Sequence, residues 1–310
     1  MKKDNKNISV VIPVYNSEKT IGTLVEILIN VLTDLCNSFE IILVNDSSSD
    51  NSSKIISKLN QDYEQVNFLE LAKNYGQHNA LLCGVRHAKY EIIVTLDDDL
   101  QNPPEKIPDL LNQLNKGYDV VYGAPIKLEN GGIFRNLTSI ITKSLFLRYI
   151  MGVNEAKYVS PFRMFRTKIR ESFKDYNLKF VTLDVLLTWG TNKFSHIYIE
   201  HEKRKIGKSN YNVRMLIQHA LNMITGFTVL PLQLATILGL IFSIFGFSVL
   251  AFVVISYFYN DRNVEGFTFL ASITSLFSGV QLLSMGIMGE YLARIYHAQI
   301  GKPQYIIKED

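Results

Sequence analysis

Two long stretches without a charged residue constrain the C-terminal third of this chain more than any other feature. Residues 230–259 and 266–289 contain no Asp, Glu, Lys or Arg. Each is longer than the roughly 20 apolar residues that an α-helix needs to cross the hydrocarbon core of a bilayer. A buried core helix is a poor explanation for two such stretches in tandem. The sequence therefore predicts two transmembrane helices within residues 227–296.

The residues that flank these stretches predict their orientation. Residues 1–7 are polar and lead directly into a strand-like segment without an apolar signal core. Basic residues accumulate on the flanks that the positive-inside rule assigns to the cytoplasm. They are Arg204, Lys205, Lys208 and Arg214 before the first stretch, and Arg294, Lys302 and Lys308 after the second. We therefore expect a multi-pass protein of the cell membrane, with residues 260–265 outside and the N-terminal part, the tail at 297–310 and both termini in the cytoplasm.

The first 125 residues alternate between two periodicities. Short runs rich in Val, Ile and Leu are typical of strands that are buried on both faces of a parallel sheet. Amphipathic stretches, which are typical of helices, separate these runs. The strand-like runs are 8–14, 39–44, 66–71, 91–96 and 118–122, and the helical stretches include 20–32, 50–59 and 77–88. This alternation predicts an α/β domain with a doubly wound, mostly parallel sheet, extending over residues 1–211.

A second region of this domain begins near residue 159. It contains helical stretches at 168–176 and 181–189 and an alternating, strand-like segment at 195–200. Residues 212–225 then place apolar side chains at helical spacing, with Arg214, Gln218 and His219 on the other face. Immediately before a membrane span, this pattern favours an amphipathic helix in the bilayer interface within residues 212–226. An ordinary packed surface helix has the same pattern and remains the alternative.

Composition and short motifs exclude several classes of function. The net charge of +3, without a Lys/Arg-rich tract among aromatic residues, does not favour nucleic-acid binding. Cys36 and Cys83 lie in apolar patterns and have no partners at metal-ligand spacing, so buried free thiols are predicted. G-x-G-x-x-G does not follow the first strand, and G-x-x-x-x-G-K-[ST] does not occur. A dinucleotide oxidoreductase or a P-loop nucleotide hydrolase therefore has no support.

Polar residues follow directly after the predicted strands. Asn16 follows the first strand, Asp46 the second, Asn74 the third, and Asp97-Asp98-Asp99 the fourth. In open α/β sheets, ligands bind at the carboxyl ends of the strands, so these residues mark the expected site. Asp46 fits either a local Asx turn or, beside the aspartate run, a hydrogen bond to a base or ribose.

The run of three aspartates predicts a metal site. Adjacent carboxylates repel one another unless a cation lies between them, and Mg²⁺ or Mn²⁺ binds carboxylate oxygens while bridging to substrate phosphates. Because side chains alternate along an extended chain, Asp97 and Asp99 share a side and are the predicted ligands, whereas Asp98 faces elsewhere. A helix cap before the Asn-Pro-Pro sequence at 102–104 is the alternative, but a cap needs only one polar residue.

Seven motifs occur in a characteristic order along nearly the whole chain. They are V-I-P-V-Y-N at 11–16, V-N-D-S-S-S-D at 44–50, N-Y-G-Q at 74–77, D-D-D-L-Q-N-P-P at 97–104, F-R at 162–163, Arg204 with G-K-S-N-Y at 207–211, and G-E-Y-L-A-R-I-Y at 289–296. The ordered set resembles the family 2 glycosyltransferases with the GT-A fold. More narrowly, it is similar to the polyprenyl-phosphate glycosyltransferases, such as dolichyl-phosphate mannose synthase, bactoprenol glucosyltransferase and the aminoarabinose transferase.

The resemblance implies a role for each matched residue. Asp97 and Asp99 would hold the donor's diphosphate and a Mg²⁺ or Mn²⁺ ion, and the cationic motif before the membrane would lie over the phosphates. A juxtamembrane basic cluster that only attracts anionic lipid is the alternative for that motif. The expected donor site comprises Pro13, Tyr15, Asn16, Asp46, Asn74, Asp97 and Gln101, and the expected acceptor-phosphate site comprises Arg135, Arg163, Arg204, Lys208 and Ser209.

One position departs from the family pattern. Several relatives carry an Asp just before the Phe-Arg pair, where this chain has Ser160 and Pro161. A phosphate acceptor is already ionised near neutral pH, so a dedicated base is dispensable for it. Asp98 and Asp184 are the candidates if a catalytic base is required, beside Asp99 as the catalytic metal ligand.

The sequence therefore predicts inverting, metal-dependent transfer of one sugar from a nucleotide sugar, with UDP favoured, to undecaprenyl or another polyprenyl phosphate. The resemblance also implies a homo-oligomer, namely a tetramer. A processive polysaccharide synthase is disfavoured because the only tryptophan, Trp189, does not lie in a Gln-x-x-Arg-Trp motif. A catalytically inactive membrane scaffold or lipid-translocation accessory is disfavoured by the intact aspartate run.

Overall fold

The computed structural model describes residues 6–126, 151–178, 182–200, 224–259 and 266–308. The chain divides into two compact units. The first consists of Met1–Asn210 together with Pro303–Asp310, and the second of Tyr211–Lys302. The second unit is therefore an insertion, because the chain returns to the first unit after leaving it.

A seven-stranded sheet forms the centre of the first unit. Its strands are β1 (Ile8–Val14), β2 (Phe39–Asn45), β3 (Val66–Glu70), β4 (Ile92–Thr95), β5 (Val120–Pro125), β6 (Arg163–Arg166) and β7 (Phe194–Ile199), in the order β3-β2-β1-β4-β6-β5-β7. Neighbouring strands are parallel except at β6, which is antiparallel to both β4 and β5. Every residue of β1 and β2 is buried, as expected for strands covered on both faces. This mostly parallel sheet confirms the predicted fold class.

Helices cover both faces of this sheet. They are α1 (Ile21–Leu35), α2 (Ser52–Asp62), α3 (Gln77–His87), α4 (Ile107–Asn115) and α5 (Leu183–Thr188), with 3₁₀ helices at Pro104–Lys106, Asn154–Tyr158 and Thr167–Phe173. The α-helix expected at 168–176 is thus a 3₁₀ helix. α3 approaches the sheet most closely at Gly84, where an added Cβ would lie 2.3 Å from Cγ1 of Val11. This contact fixes α3 against β1.

The second unit contains two long helices, α6 (Leu230–Tyr259) and α7 (Phe267–Gln299). They run antiparallel, because the rings of Phe242 and Phe277 lie 6.1 Å apart and the Tyr291 hydroxyl donates to the Thr228 carbonyl at 2.7 Å. Among the described residues, one helical stretch, Leu230–Phe252, has the length and mean hydropathy (2.3) needed to cross a membrane. A second crossing stays a prediction, and the expected amphipathic helix lies almost entirely outside the described residues.

Candidate active site

The predicted strand ends meet in one pocket beside β1. The chain proceeds from β1 to β2 and β3 on one side and then returns to place β4 on the other, so the strand order reverses at β1. Open α/β sheets bind ligands at such a switch point. The pocket there is lined by Pro13, Val14, Tyr15, Asp46, Asn74, Gly76, Gln77, Asp97, Asp98 and Asp99. Within the described part of the chain, the structure thus brings together most of the residues expected at the donor site.

Asp46 holds the loop that follows β3. Its carboxylate accepts hydrogen bonds from the backbone N–H groups of Tyr75 at 2.7 Å and Gly76 at 2.8 Å. Burial raises the pKa of Asp46, and these two bonds oppose that rise. Both partners lie far away in sequence, so Asp46 joins two strand ends and does not form a local Asx turn. It therefore shapes the pocket wall that carries Asn74.

Backbone conformations around the pocket are unusual. Gly76 has φ +90° where α3 begins, and Asn16, Ser47 and Leu100 have φ between 56° and 60°. These three non-glycine residues follow β1, β2 and β4. Left-handed conformations of L-residues cost free energy and cluster at functional sites when surrounding contacts hold them in place. The strain is thus concentrated at the edge of the sheet that forms the pocket.

Asn16 is one of these strained residues, and its side chain connects two loops of the sheet edge. Its carbonyl oxygen accepts bonds from the Ser49 N–H at 2.8 Å and the Ser49 hydroxyl at 3.1 Å. These contacts join the loop after β1 to the loop after β2. Neither Asn16 nor Gln101, both expected at the donor site, lines the pocket in this structure.

The three consecutive aspartates have different partners. Asp97 accepts a bond from the Gln77 side-chain amide at 2.6 Å, and Asp99 accepts one from the Gln101 N–H at 3.1 Å. Asp98 instead accepts bonds from the Tyr15 N–H and the Ser17 hydroxyl. Asp98 therefore ties the end of β4 to the end of β1.

The surroundings of Asp98 also affect its ionisation. Burial raises the pKa of Asp98, the bonds from Ser17 and Tyr15 lower it, and the neighbouring Asp99 charge raises it again. A carboxylate that accepts two bonds from one loop is positioned to fix that loop. Asp98 lines the same pocket as Asp97 and Asp99 but differs from them in its partners, so the expectation that it faces away from them stays a prediction.

Asp97 and Asp99 fit a divalent cation as a partial set of ligands. Among the described residues, no group of three or more His, Cys, Asp or Glu side chains converges. Mg²⁺ sites in phosphate-transferring proteins typically use one or two carboxylates, with the remaining positions filled by water and substrate phosphates. Two pocket carboxylates are the donor set that such a site requires.

Arg163, the first residue of β6, forms a buried ion pair with Asp184 of α5. Both side chains are more than nine-tenths buried, and their charged groups are in direct contact. The Tyr122 hydroxyl donates to Asp184 at 3.0 Å, and Nε of Arg163 donates to the Thr95 hydroxyl at 2.9 Å. Burial opposes the charge on Arg163, but Asp184 keeps the Arg163 pKa above its ordinary value. Their placement therefore does not support the expectations that Arg163 binds an acceptor phosphate or that Asp184 acts as a base.

Some predicted site residues lie outside the described residues, and two residues that contact the aspartates were not predicted. Arg135, Arg204, Lys208 and Ser209 lie outside the described residues. Gln77 and Ser17, which bond the aspartates directly, were not predicted as site residues. Gln77 belongs to the N-Y-G-Q motif at 74–77, so the motif identified the residue, but its contact with Asp97 was not predicted. The partner of Ser17 lies 81 residues away, which no local pattern reveals.

Comparisons with known proteins place this architecture in a family. The model for glycosyl transferase family 2 matches residues 9–176. An undecaprenyl-phosphate 4-deoxy-4-formamido-L-arabinose transferase of Pectobacterium atrosepticum is 33% identical over 313 residues, covering 100% of this chain and 95% of the relative. A protein of the same name from Photorhabdus laumondii is 33% identical over 98% of this chain and 94% of its own length.

Solved structures show the same fold. Glucosyl-3-phosphoglycerate synthase from Mycobacterium tuberculosis, in complex with Mn²⁺, uridine diphosphate and glucosyl-3-phosphoglycerate, aligns with a TM-score of 0.53 at 17% identity. The alignment covers 71% of this chain and 78% of that chain. Its complex with Mn²⁺ and uridine-diphosphate-glucose aligns with a TM-score of 0.52 at 16% identity over 71% and 77% of the two chains. With the family match and the full-length relatives, these findings establish that the chain is a glycosyltransferase and belongs to glycosyl transferase family 2.

Proposed function

We propose that the protein transfers a single sugar from a UDP-sugar to undecaprenyl or another polyprenyl phosphate. The observation that carries the proposal is the convergence of Asp97 and Asp99 with Asp46 in one pocket at the carboxyl ends of β4 and β2. The acceptor class is supported by relatives of nearly equal length whose name specifies undecaprenyl phosphate. The tetramer implied by resemblance remains a proposal on that ground alone.

The pocket supports a donor site that depends on Mg²⁺ or Mn²⁺. A structural neighbour binds Mn²⁺ together with uridine-diphosphate-glucose, and Asp97 and Asp99 have the chemistry to hold such an ion here. When bound, the ion would neutralise the diphosphate and so assist its departure from the sugar. Gln77 orients Asp97, while Asp46 and Asp98 hold the loops around the nucleotide.

The chemistry we infer is a direct displacement. An oxygen of the acceptor phosphate forms a bond to the anomeric carbon while the bond from that carbon to the nucleoside diphosphate breaks, which inverts the configuration. The acceptor is ionised near neutral pH and supplies its own nucleophile. This route agrees with the absence of a carboxylate at Ser160 and Pro161, just before the Phe-Arg pair, and with the pairing of Asp184 with Arg163. No protein base is required.

The chain's return to its first unit supports two membrane crossings. Residues 303–308 pack on the same unit as residues 8–200, so residues 211–302 leave and re-enter one folded body. A segment tied to one side at both ends crosses a bilayer an even number of times. If α6 crosses, α7 is the long helix in the described residues that can return the chain. We therefore propose a two-span hairpin with both termini in the cytoplasm.

Hydroxyl groups within the hairpin agree with this proposal. Thr236 and Ser248 in α6, and Ser284 in α7, each donate to the backbone carbonyl four residues earlier, at 2.9–3.0 Å. In lipid, polar groups must be satisfied within the protein because water does not reach them. Both helices thus satisfy these hydroxyls internally.

Substitution of one metal ligand tests the proposed donor site. Asp99→Asn keeps the size of the side chain but removes its charge, and Asp109→Asn makes the same change on the exposed surface of α4. We expect Asp99→Asn to lower sugar transfer to undecaprenyl phosphate by at least about 100-fold, a loss typical of removing a transition-state charge stabiliser. Chelation should abolish transfer by the wild type, and Mn²⁺ should restore it. A normal transfer rate for Asp99→Asn in washed membranes would refute the mechanism.

A further inference from the structure

The C-terminal segment, residues 303–308, pairs with the chain just beyond β3. Leu71 and Ile307 form an antiparallel bridge. The Ala72 N–H donates to the Ile306 carbonyl at 2.8 Å, and the Lys308 N–H donates to the Glu70 carbonyl at 2.8 Å. β3 is an edge strand of the sheet, so the segment covers backbone groups at an otherwise open edge.

A buried glutamine anchors the start of this segment. Gln304 is 5% exposed. Its side-chain oxygen Oε1 accepts a hydrogen bond from the Arg86 guanidinium at 2.9 Å, and its side-chain nitrogen Nε2 donates to the Leu178 backbone carbonyl at 2.7 Å. The Arg86 guanidinium also donates to the Tyr176 carbonyl at 2.7 Å and lies 5.9 Å from the centre of the Tyr305 ring. A buried amide with partners at both ends specifies one arrangement, because an unpartnered polar group is costly.

The backbone held by this segment leads directly into the pocket. Leu71 also donates to the Asn45 carbonyl at 2.9 Å, so residues 71 and 72 are fixed by β2 and by the C-terminal segment. A few residues later, Asp46 holds Tyr75 and Gly76. The loop that carries Asn74 is thus clamped at both ends, and the C-terminal segment forms one of the two clamps.

Helix α3 provides a second connection between the same parts. At its first residue, Gln77 bonds Asp97. In its last turn, Arg86 bonds Gln304. The C-terminal segment therefore contacts both the loop at 71–76 and α3, the two elements that carry residues after β3 into the pocket.

We propose that residues 303–308 are a positioning element of the donor pocket, acting through the loop at 71–76 and through α3. The proposal rests on the proposed function, because it treats this pocket as the nucleotide-sugar site. None of the six residues lines the pocket, so the segment positions the site without taking part in the chemistry. It also makes the end of the chain part of the glycosyltransferase domain.

Two pairs of variants in the full-length protein test this proposal. Lys308→Pro removes the N–H that pairs with the Glu70 carbonyl, whereas Lys308→Ala keeps this N–H and removes only the exposed ammonium, with its ion pair to the Glu70 carboxylate, which Lys308→Pro removes as well. Gln304→Ala removes both buried amide bonds, whereas Ile306→Ala shortens an exposed side chain and leaves its backbone pairing intact. We expect Lys308→Pro and Gln304→Ala to raise the donor KM and weaken UDP–Mn²⁺ binding about fivefold, as loss of one net hydrogen bond would. Their kcat should stay within about twofold of wild type, since no reacting group is touched.

Hydrogen exchange separates positioning from a general loss of stability. The Tyr75 and Gly76 amides should exchange faster in the two disruptive variants and at the wild-type rate in the two controls. Unchanged exchange at these amides, with a donor KM equal to that of the controls, would overturn the proposal even if the variants fold less well. Exchange is measured without a donor, so it decides the positioning role even if the wild type fails to bind UDP–Mn²⁺. That failure would count against the proposed function separately.

Discussion

The four acidic side chains at the pocket differ in what they hold. Asp46 and Asp98 accept backbone and hydroxyl hydrogen bonds from loops distant in sequence, and they assemble the edge of the sheet. All four line the pocket, and Asp97 and Asp99 are the proposed ligands of a divalent cation. Alternation along an extended chain predicted that Asp98 would face away from Asp97 and Asp99, and this stays a prediction because Asp98 and Asp99 lie in a turn after β4. The partners of Asp98 depend on tertiary contacts that no local pattern specifies.

Substitution of Gly76 tests whether the backbone conformation at the start of α3 is needed for UDP binding. With φ +90° and ψ 150° it occupies a conformation that residues with a Cβ rarely adopt, yet an added Cβ would meet no atom within 4 Å. Gly76→Ala should therefore act through backbone strain alone, costing about 1–3 kcal/mol and weakening UDP binding roughly tenfold. Gly22→Ala in α1 also meets no atom within 4 Å and should be neutral or slightly stabilising. Equal UDP affinities of the two variants in calorimetric titration would show that the backbone conformation at Gly76 does not affect UDP binding.

At the scale of secondary-structure elements, the predictable part of the fold is the part with local signals. The ends of strands β1 to β4 lie within one residue of the predicted runs because continuous apolar segments bounded by turns identify them, whereas β5 begins two residues and ends three residues later than predicted. The antiparallel strand β6 was not predicted, since it has four residues and an arginine at each end. Burial of its first residue, Arg163, depends on Thr95, Tyr122 and Asp184, which come from three other parts of the chain.

The ion pair that joins β6 to α5 should be important for stability. Asp184→Asn leaves the buried Arg163 charge uncompensated, and such a change costs about 3–5 kcal/mol. Asp109→Asn breaks an exposed pair with Lys106 and should cost less than about 1 kcal/mol. Urea unfolding followed through Trp189, the only tryptophan, compares the two variants. Equal midpoints would show that the buried pair does not support the fold.

A second ionic contact predicts how stability depends on pH. Burial raises the pKa of Asp119, but its bond from Thr191 and its pairing with Lys168 and Arg166 bring that pKa below its ordinary value. A lowered pKa contributes stability above the unfolded-state value, near 3.9, and the contribution is lost as pH falls through the folded-state value. Asp119→Asn should therefore be less stable at pH 7 and lose less stability on acidification. Parallel acid-unfolding curves for variant and wild type would exclude this role.

At the scale of the whole molecule, the central feature is that the chain leaves its first unit at residue 210 and returns at residue 303. The sequence predicted two transmembrane helices because the length of the apolar stretches and their lack of charge are local properties. It did not predict that the final residues pair beside β3, because that contact joins positions more than 200 residues apart. In the proposed topology, this contact requires an even number of membrane crossings.

Cysteine labelling tests the proposed topology. Cys36 and Cys83 are buried, and burial raises the pKa of Cys83 to about 12, so background labelling should be low. In intact cells, a membrane-impermeant maleimide should label Asn263→Cys but not Lys302→Cys, and permeabilisation should expose both. Labelling of Lys302→Cys in intact cells would place residue 302 outside the cell and contradict the proposed topology.

Sugar transfer to a defined lipid is the decisive test of the proposed function. Purified full-length protein is incubated with undecaprenyl phosphate, Mn²⁺ and a panel of UDP-sugars, and the lipid products are measured by mass spectrometry. We expect one donor to yield undecaprenyl phosphate carrying one sugar, and we expect Asp99→Asn to lose this product. Several sugars per lipid would indicate a processive synthase, and absence of a lipid-linked product with every UDP-sugar tested would contradict the proposed function.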